Sequence, residues 1–279
     1  MKVALHQMVA GPNKEENLRR VLEELSRADA DLHVFPEYLM GVGEGGVSCE
    51  HVHALAEPLG GPFAASVVEK SWELGTAVAF SAFLREGDGV YNAAVLADRG
   101  RVVAVYRKVH LFDAFGYRES SVFAPGDSLA VARLGDFTVG LAVCFDLRFP
   151  ELFRAMALRG AELFIVPSAW YRGPYKVEQW LALTAARAHE NTAYLIAVDQ
   201  TGSLFAGHST IVTPLGHRLV DLGEREGVIV VEINRGEVEE ARRLIPVLQL
   251  LRRDLYVRWY GDSGAKRSSH PLVNGPGAG

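Results

Sequence analysis

Four side chains in this sequence combine reactive chemistry with positions at or near the ends of apolar runs. Cys144 closes the stretch Phe137-Thr138-Val139-Gly140-Leu141-Ala142-Val143 and precedes Phe145-Asp146-Leu147-Arg148-Phe149-Pro150-Glu151, which reads as a turn into a helix. A thiol at such a junction can emerge beside unpaired backbone N–H groups, which stabilise a thiolate and can also hold an oxyanion. Taken alone, it is first of all a small buried hydrophobe. Glu37 directly follows a mostly apolar strand and Pro36. A partly desolvated carboxylate there has a raised pKa and can act as a base near neutrality. Lys108 ends the run Val102-Val103-Ala104-Val105-Tyr106-Arg107, where an ammonium could meet developing negative charge. Glu119, within Gly116-Tyr117-Arg118-Glu119-Ser120, is no more informative by itself. Read one at a time, Glu37, Lys108 and Glu119 are ordinary solvated residues. Their combination is what carries information.

The elements that must position these groups alternate along the chain. A strand at 2–9 precedes a helix over about 14–28, in which Leu18, Val21, Leu22 and Leu25 keep one apolar stripe and Asn13 is placed to cap. The strand Leu32-His33-Val34-Phe35-Pro36 delivers Glu37, and a helix follows near 62–74. Three extended runs, 76–85, 90–98 and 101–108, are joined by Gly87-Asp88-Gly89 and Asp98-Arg99-Gly100, which predicts an antiparallel meander. The second half repeats the theme: strand 137–144, helix 150–159, strand 163–166, helix 176–190, strands 193–199, 208–213, 217–221 and 227–233, and a helix over 236–250. Two sheets packed face to face with helices outside fit this pattern. No long Pro/Gly/Ser-rich linker divides the chain, so a single domain over residues 1–260 is expected, with 261–279 as a loose C-terminal extension.

Composition narrows the classes further. The 279 residues are 49% hydrophobic and 23% charged, ordinary globular material, with a net charge of −5. That balance offers no basic footprint for nucleic acid or an anionic membrane. No stretch approaches the ~20 apolar residues of a membrane helix, and the N-terminus reads as a strand rather than a signal peptide. A cytoplasmic protein with reduced thiols is expected. Cys49 and Cys144 are the only two cysteines, too few for a disulfide scaffold or a four-cysteine zinc site.

Three groups occur in order: Phe35-Pro36-Glu37, then Tyr106-Arg107-Lys108-Val109-His110-Leu111-Phe112, then Cys144-Phe145-Asp146-Leu147-Arg148-Phe149-Pro150-Glu151. Together they resemble the nitrilase superfamily of carbon–nitrogen hydrolases, whose catalytic set is Glu-Lys-Cys in that order. Matching features continue in Glu119 with Pro125-Gly126-Asp127, Arg187-Ala188-His189-Glu190-Asn191, Gly207-His208-Ser209-Thr210 and Arg253-Asp254-Leu255-Tyr256. The resemblance extends from the first strand to about Tyr260. It implies an α/β fold, a four-layer α-β-β-α sandwich with two mixed sheets, and a homodimer or larger homo-oligomer. It further implies Cys144 as nucleophile, Glu37 as general base and Lys108 as the cation that stabilises the tetrahedral intermediate. Glu119 matches the additional family glutamate, and the Phe145 N–H would complete the oxyanion hole. No metal or organic cofactor is implied.

The stretch 144–152 is similar to the Cys-Tyr-Asp-Leu-Arg-Phe-Pro-Glu-Leu of amidase-like branches, with Phe145 in place of the commoner tyrosine. The resemblance thus points to a small-molecule amide as substrate, an aliphatic or omega-amide, with an N-carbamoyl amino acid or a nitrile as alternatives. Arg148 could bind a substrate carboxylate through its fork, or form a salt bridge that fixes the nucleophile loop, with Asp146 or a glutamate as partner. Trp170, Tyr171 and Tyr38 follow strand ends and could shape the acyl pocket, although aromatic packing is the default for each. A non-catalytic binding or scaffold protein of the same fold is the alternative outside enzymes.

Two patterns compete with this reading. Gly41, Gly43 and Gly46 satisfy G-x-G-x-x-G after a strand, but Val47-Ser48-Cys49-Glu50-His51 lacks the amphipathic helix that a dinucleotide site requires. Cys49, His51 and His53 carry metal-donor chemistry without a second cluster to close a site.

Overall fold

The computed structural model describes residues 1–262. Two six-stranded sheets form the centre of the molecule. The first has the order β12-β1-β2-β3-β4-β5, with β1 Lys2–Gln7, β2 Leu32–Val34, β3 Ala77–Glu86, β4 Gly89–Asp98, β5 Arg101–Arg107 and β12 Gly227–Glu232. The second has the order β11-β10-β9-β8-β7-β6, with β6 Ala130–Leu134, β7 Phe137–Leu141, β8 Leu163–Ser168, β9 Tyr194–Asp199, β10 Thr210–Val212 and β11 Arg218–Asp221. Both are mixed. Parallel pairing of β1, β2 and β3 in one, and of β7, β8 and β9 in the other, is flanked by antiparallel strands.

The packing explains why so many strands read as continuous apolar runs, since a strand covered on both faces has no solvent side. In β3, Ala77 and Ala79 join the core between the sheets, together with Val3, Leu5, Val139 and Ile165. Their neighbours Val78 and Phe80 point the other way, against Val21 and Leu25 of α1 (Lys14–Arg27) and Phe63 and Val67 of α3 (Pro62–Leu74). On the far side, Phe153 and Met156 of α4 (Pro150–Ala157) and Trp180 and Ala188 of α5 (Lys176–His189) cover the second sheet. The result is an α-β-β-α sandwich. Asn13 caps α1 as its position predicts, its side chain accepting the Glu16 N–H.

Several expectations need correction. The expected helix over 236–250 is two helices, α6 (Arg235–Leu244) and α7 (Val247–Leu250), broken at Ile245-Pro246 because a residue before proline is pushed out of the helical region. The strand expected to reach 144 ends at Leu141, and a 3₁₀ turn runs over Cys144–Arg148. β6 and a short helix α2 (Cys49–Leu55), capped by the Ser48 side chain, are additional. Helix α8 (Arg253–Asp262) crosses the expected domain boundary at 260, and residues 263–279 of the expected extension lie outside the described residues.

Candidate active site

The three chain segments that carry Glu37, Lys108 and Cys144 converge on one buried cavity. Glu37 lies three residues beyond the end of β2, yet its backbone is tied to the second sheet. Its N–H donates to the Ser168 carbonyl at 3.1 Å, and Gln200 Nε2 donates to its carbonyl at 2.7 Å. Both of its carboxylate oxygens are engaged. Oε1 accepts from Lys108 Nζ at 2.9 Å and Asn92 Nδ2 at 2.6 Å, while Oε2 accepts from the Ala169 N–H at 2.8 Å.

Lys108 follows β5 directly. Its backbone is held in register by two bonds: its N–H to the Asn92 carbonyl at 2.9 Å, and its own carbonyl from the Gly126 N–H at 2.8 Å. Position 126 must be glycine for this approach, since a Cβ there would lie 2.2 Å from the Arg107 carbonyl oxygen. The ammonium also touches Glu119, at 3.1 Å from Oε1 and 2.9 Å from Oε2. Glu119 is fixed in turn by the Tyr38 hydroxyl at 3.0 Å, Asn92 Nδ2 at 2.9 Å and the Phe112 N–H at 2.6 Å. Glu37, Lys108 and Glu119 are each at most 1% exposed.

One ammonium between two buried carboxylates sets the electrostatics. Burial pushes the Glu37 carboxyl above its ordinary range; Lys108 opposes this, Glu119 reinforces it, and burial wins. Burial works against the Lys108 ammonium, but Glu119 and Glu37 outweigh it and hold its pKa well above normal. The Cys144 thiol is pushed up by burial and by Glu37, with Lys108 and the Ala169 N–H pulling the other way. It therefore rests as a thiol beside a base and a cation.

The turn at Cys144 is strained and braced. Cys144 sits at φ 44°, a left-handed conformation that costs about 1–2 kcal/mol for a non-glycine residue. Asp146 holds it there. Its Oδ2 accepts the Val143 N–H and the Tyr106 hydroxyl, each at 2.9 Å, and its Oδ1 lies 2.7 Å from His110 Nδ1 and accepts the His110 N–H at 3.2 Å. No acceptor among the described residues takes the Phe145 N–H.

This fixes the position of Arg148. Asp146 is fully engaged elsewhere, so the salt bridge expected as one alternative is not made. Arg148 Nη2 donates instead to Gln179 Oε1 at 2.7 Å, and its guanidinium lies 4.7 Å from the Trp170 ring centroid. Arg148, Trp170, Tyr171 and Tyr38 all line the cavity, and Tyr38 also anchors Glu119 through its hydroxyl. The cavity encloses about 20 Å³, room for one or two waters.

Sequence reasoning missed Asn92, Asp199 and Lys176. Asn92 bridges both carboxylates from the middle of β4, and an asparagine inside an apolar strand was its signal. Asp199 is buried, accepting the Trp170 N–H at 2.7 Å and the Gly207 N–H at 3.0 Å, so it sets the backbone whose neighbouring amide reaches Glu37. Lys176 lines the cavity with its ammonium 3.8 Å from the Phe115 ring centroid.

The rival patterns meet different ends. A helix does follow the glycine run, contrary to expectation. The Gly43 and Gly46 N–H groups, however, are spent on each other's carbonyls at 3.0 Å, which leaves no open nest for a phosphate. Gly46, at φ 102°, also packs against Tyr171, whose hydroxyl would lie 2.6 Å from a Cβ there. Cys49 lies exposed on α2.

A two-sheet sandwich that gathers Glu, Lys and Cys around one cavity defines a cysteine-dependent carbon–nitrogen hydrolase. The model of the carbon–nitrogen hydrolase family matches residues 2–243, and the chain belongs to that family. It is 37% identical to a hydrolase of Mycobacterium tuberculosis over 270 residues, 89% of this chain and 95% of the relative. It is 34% identical to the human deaminated glutathione amidase over 277 residues, 91% of this chain and 83% of the relative. The amidase from Nesterenkonia sp. AN1 superposes with a TM-score of 0.76 at 30% identity, covering 93% of this chain and 99% of the neighbour. That structure is a glutamate-to-glutamine variant showing Michael addition of acrylamide at the active-site cysteine.

Proposed function

We infer that this enzyme is an amidase that converts a small aliphatic amide or omega-amide into a carboxylate and ammonia through a thioester on Cys144. The observation that carries the reading is the meeting of Glu37, Lys108 and Cys144 at one cavity. An amide carbonyl is a poor electrophile, so attack needs a strong nucleophile and a site that stabilises O⁻. Glu37, made more basic by burial, takes the thiol proton as Sγ bonds to the carbonyl carbon. The oxyanion forms against the Lys108 ammonium and the Phe145 N–H. Glu37 then passes the proton to the leaving nitrogen, and ammonia departs as the C–N bond breaks. Water, deprotonated by the same Glu37, adds to the thioester; C–S cleavage releases the acid, and the proton returns to sulfur. Glu119 keeps Lys108 aimed and completes the charge balance.

The amidase names among the relatives support this choice over an N-carbamoyl hydrolase or a nitrilase. Exposed Leu244 and Leu250 beside the C-terminal helices support a homo-oligomer, and two unpaired cysteines suit a cytoplasmic setting. The test is ammonia release from a panel of amides, omega-amides, nitriles and N-carbamoyl amino acids, by wild type and by Cys144→Ala. Cys144→Ala should lose at least ~10³-fold in kcat/KM on the preferred amide. Unchanged release by that variant would remove the covalent mechanism, and turnover confined to nitriles or carbamoyl compounds would remove the amidase reading.

A further inference from the structure

Asp199, the last residue of β9, is wholly buried, and no cation bonds it among the described residues. Burial raises its carboxyl well above the ordinary range against the pull of the amides it accepts, and the charge of Glu37 adds to the rise. A carboxylate so placed is costly unless hydrogen bonds hold its oxygens. Here they go to two different loops. Oδ1 accepts the Trp170 N–H at 2.7 Å, just past β8, and Oδ2 accepts the Gly207 N–H at 3.0 Å, before β10.

Those loops run side by side. The Ala206 N–H donates to the Trp170 carbonyl and the Arg172 N–H to the Leu204 carbonyl, each at 2.9 Å, with Tyr171 opposite Phe205 between them. Asp199 therefore staples the root of a short two-stranded ladder that carries Trp170 and Tyr171 into the cavity wall. The staple ends one peptide away from Glu37. Successive N–H groups reach different carboxylates: that of Ala169 goes to Glu37 Oε2 at 2.8 Å, that of Trp170 to Asp199. Only the two dihedrals of Ala169 separate these rigid peptide planes, so an anchor on one limits the other. The plane that carries the Ala169 N–H is gripped at its Ser168 oxygen by the Glu37 and Gln200 N–H groups. Asp199, through Trp170, is the grip on its other end.

We propose that Asp199 is a positioning residue for Glu37: through the Trp170 amide it holds the Ala169 N–H on Glu37 Oε2, and so keeps Glu37 ready to accept a proton from Cys144. An N–H bonded to the ionised carboxylate stabilises that form, and it offsets part of the upward push of burial on Glu37. Without the staple the Ala169 N–H drifts from Oε2, the carboxyl climbs, and Glu37 stays protonated to higher pH.

This inference rests on Glu37 acting as the base of the amidase reading, and the experiment separates the two. The ionisable groups that face Glu37 are Lys108, Glu119, Cys144, Tyr38, Tyr171 and Asp199, and only the last is altered. Asp199→Asn and Asp199→Ala both delete its charge, but asparagine keeps an oxygen for the Trp170 N–H. Charge loss is common to the two, so the difference between them isolates the staple. In a Cys49→Ser background, the pH dependence of Cys144 alkylation by iodoacetamide is followed beside kcat/KM for ammonia release from the preferred amide. Both rates fall as Glu37 becomes protonated. The acid limb of Asp199→Ala should lie about one pH unit above that of Asp199→Asn, which makes its rate on the limb about tenfold lower. Asp199→Leu, close to asparagine in shape but without an acceptor, repeats the comparison. Coincident limbs overturn the proposal. Failure of both the alanine and the leucine variant to fold also overturns it, by assigning Asp199 to the fold alone. Separated alkylation limbs with no ammonia released from any amide keep the staple and overturn the amidase reading. Ammonia release with coincident limbs does the reverse.

Discussion

Lys108 and Lys176 line the same cavity and live in opposite electrostatic settings. Lys108 is clasped by two carboxylates, and its charge is locked in. Lys176 meets only rings and a neighbouring guanidinium, and its charge is discouraged. The difference separates two uses of a buried cation. A cation neutralised by the protein is held in one place. One left without a protein carboxylate keeps its charge uncompensated.

The largest effect that tests this contrast is on stability. Lys108→Met strands Glu37 and Glu119 together without their cation, and removing one partner of a buried ion pair costs about 3–5 kcal/mol. Lys176→Met removes a repulsion and should leave stability within about 1 kcal/mol of wild type, or raise it. Denaturant melts of the two variants check this, and equal losses would erase the distinction. Next comes the pH profile. Glu37, as the proposed base, must be ionised to act, and its carboxyl is held above the usual range. The acid limb of kcat/KM should therefore lie above that of an ordinary carboxylate, with activity falling as pH drops through it. Because Glu119 pushes Glu37 upward, Glu119→Gln should move that limb to lower pH; a limb that stays or rises refutes this account of the cluster. The smallest effect isolates the strained turn. Of two inactive variants, Cys144→Gly should be about 1 kcal/mol more stable than Cys144→Ala, because only glycine relaxes at φ 44°. A more stable alanine variant would show that the turn carries no strain.

Much of the frame was legible because its rules are local. The Gly-containing connectors announced the β3–β4–β5 meander, and Asn13 with its apolar stripe announced α1. Ordered motifs pointed to Glu37, Lys108, Glu119 and Cys144, which the fold brings to one cavity or its wall. Short elements escaped: α2 is seven residues long and β6 five, too few for a periodic pattern to stand out. A Gly135-Asp136 turn was the available hint for β6, since it closes a two-residue hairpin from Leu134 to Phe137. Long-range partners escaped for a different reason. Nothing near Lys176 in the sequence says that Arg148 shares its cavity, and nothing near Asn92 says that two glutamates from other segments converge on it.

Glu37 belongs by sequence to the first sheet, but its N–H, its carbonyl and one carboxylate oxygen all end on Ser168, Gln200 and Ala169, at or just beyond the ends of strands in the second. The Glu37 carboxylate is therefore aimed only when the two halves of the molecule have docked. A folding intermediate with one sheet formed and the other loose would contain every reactive group and turn over nothing. In this protein, recovery of activity during refolding reports the closing of the sandwich itself, and should lag any signal that reports only secondary structure.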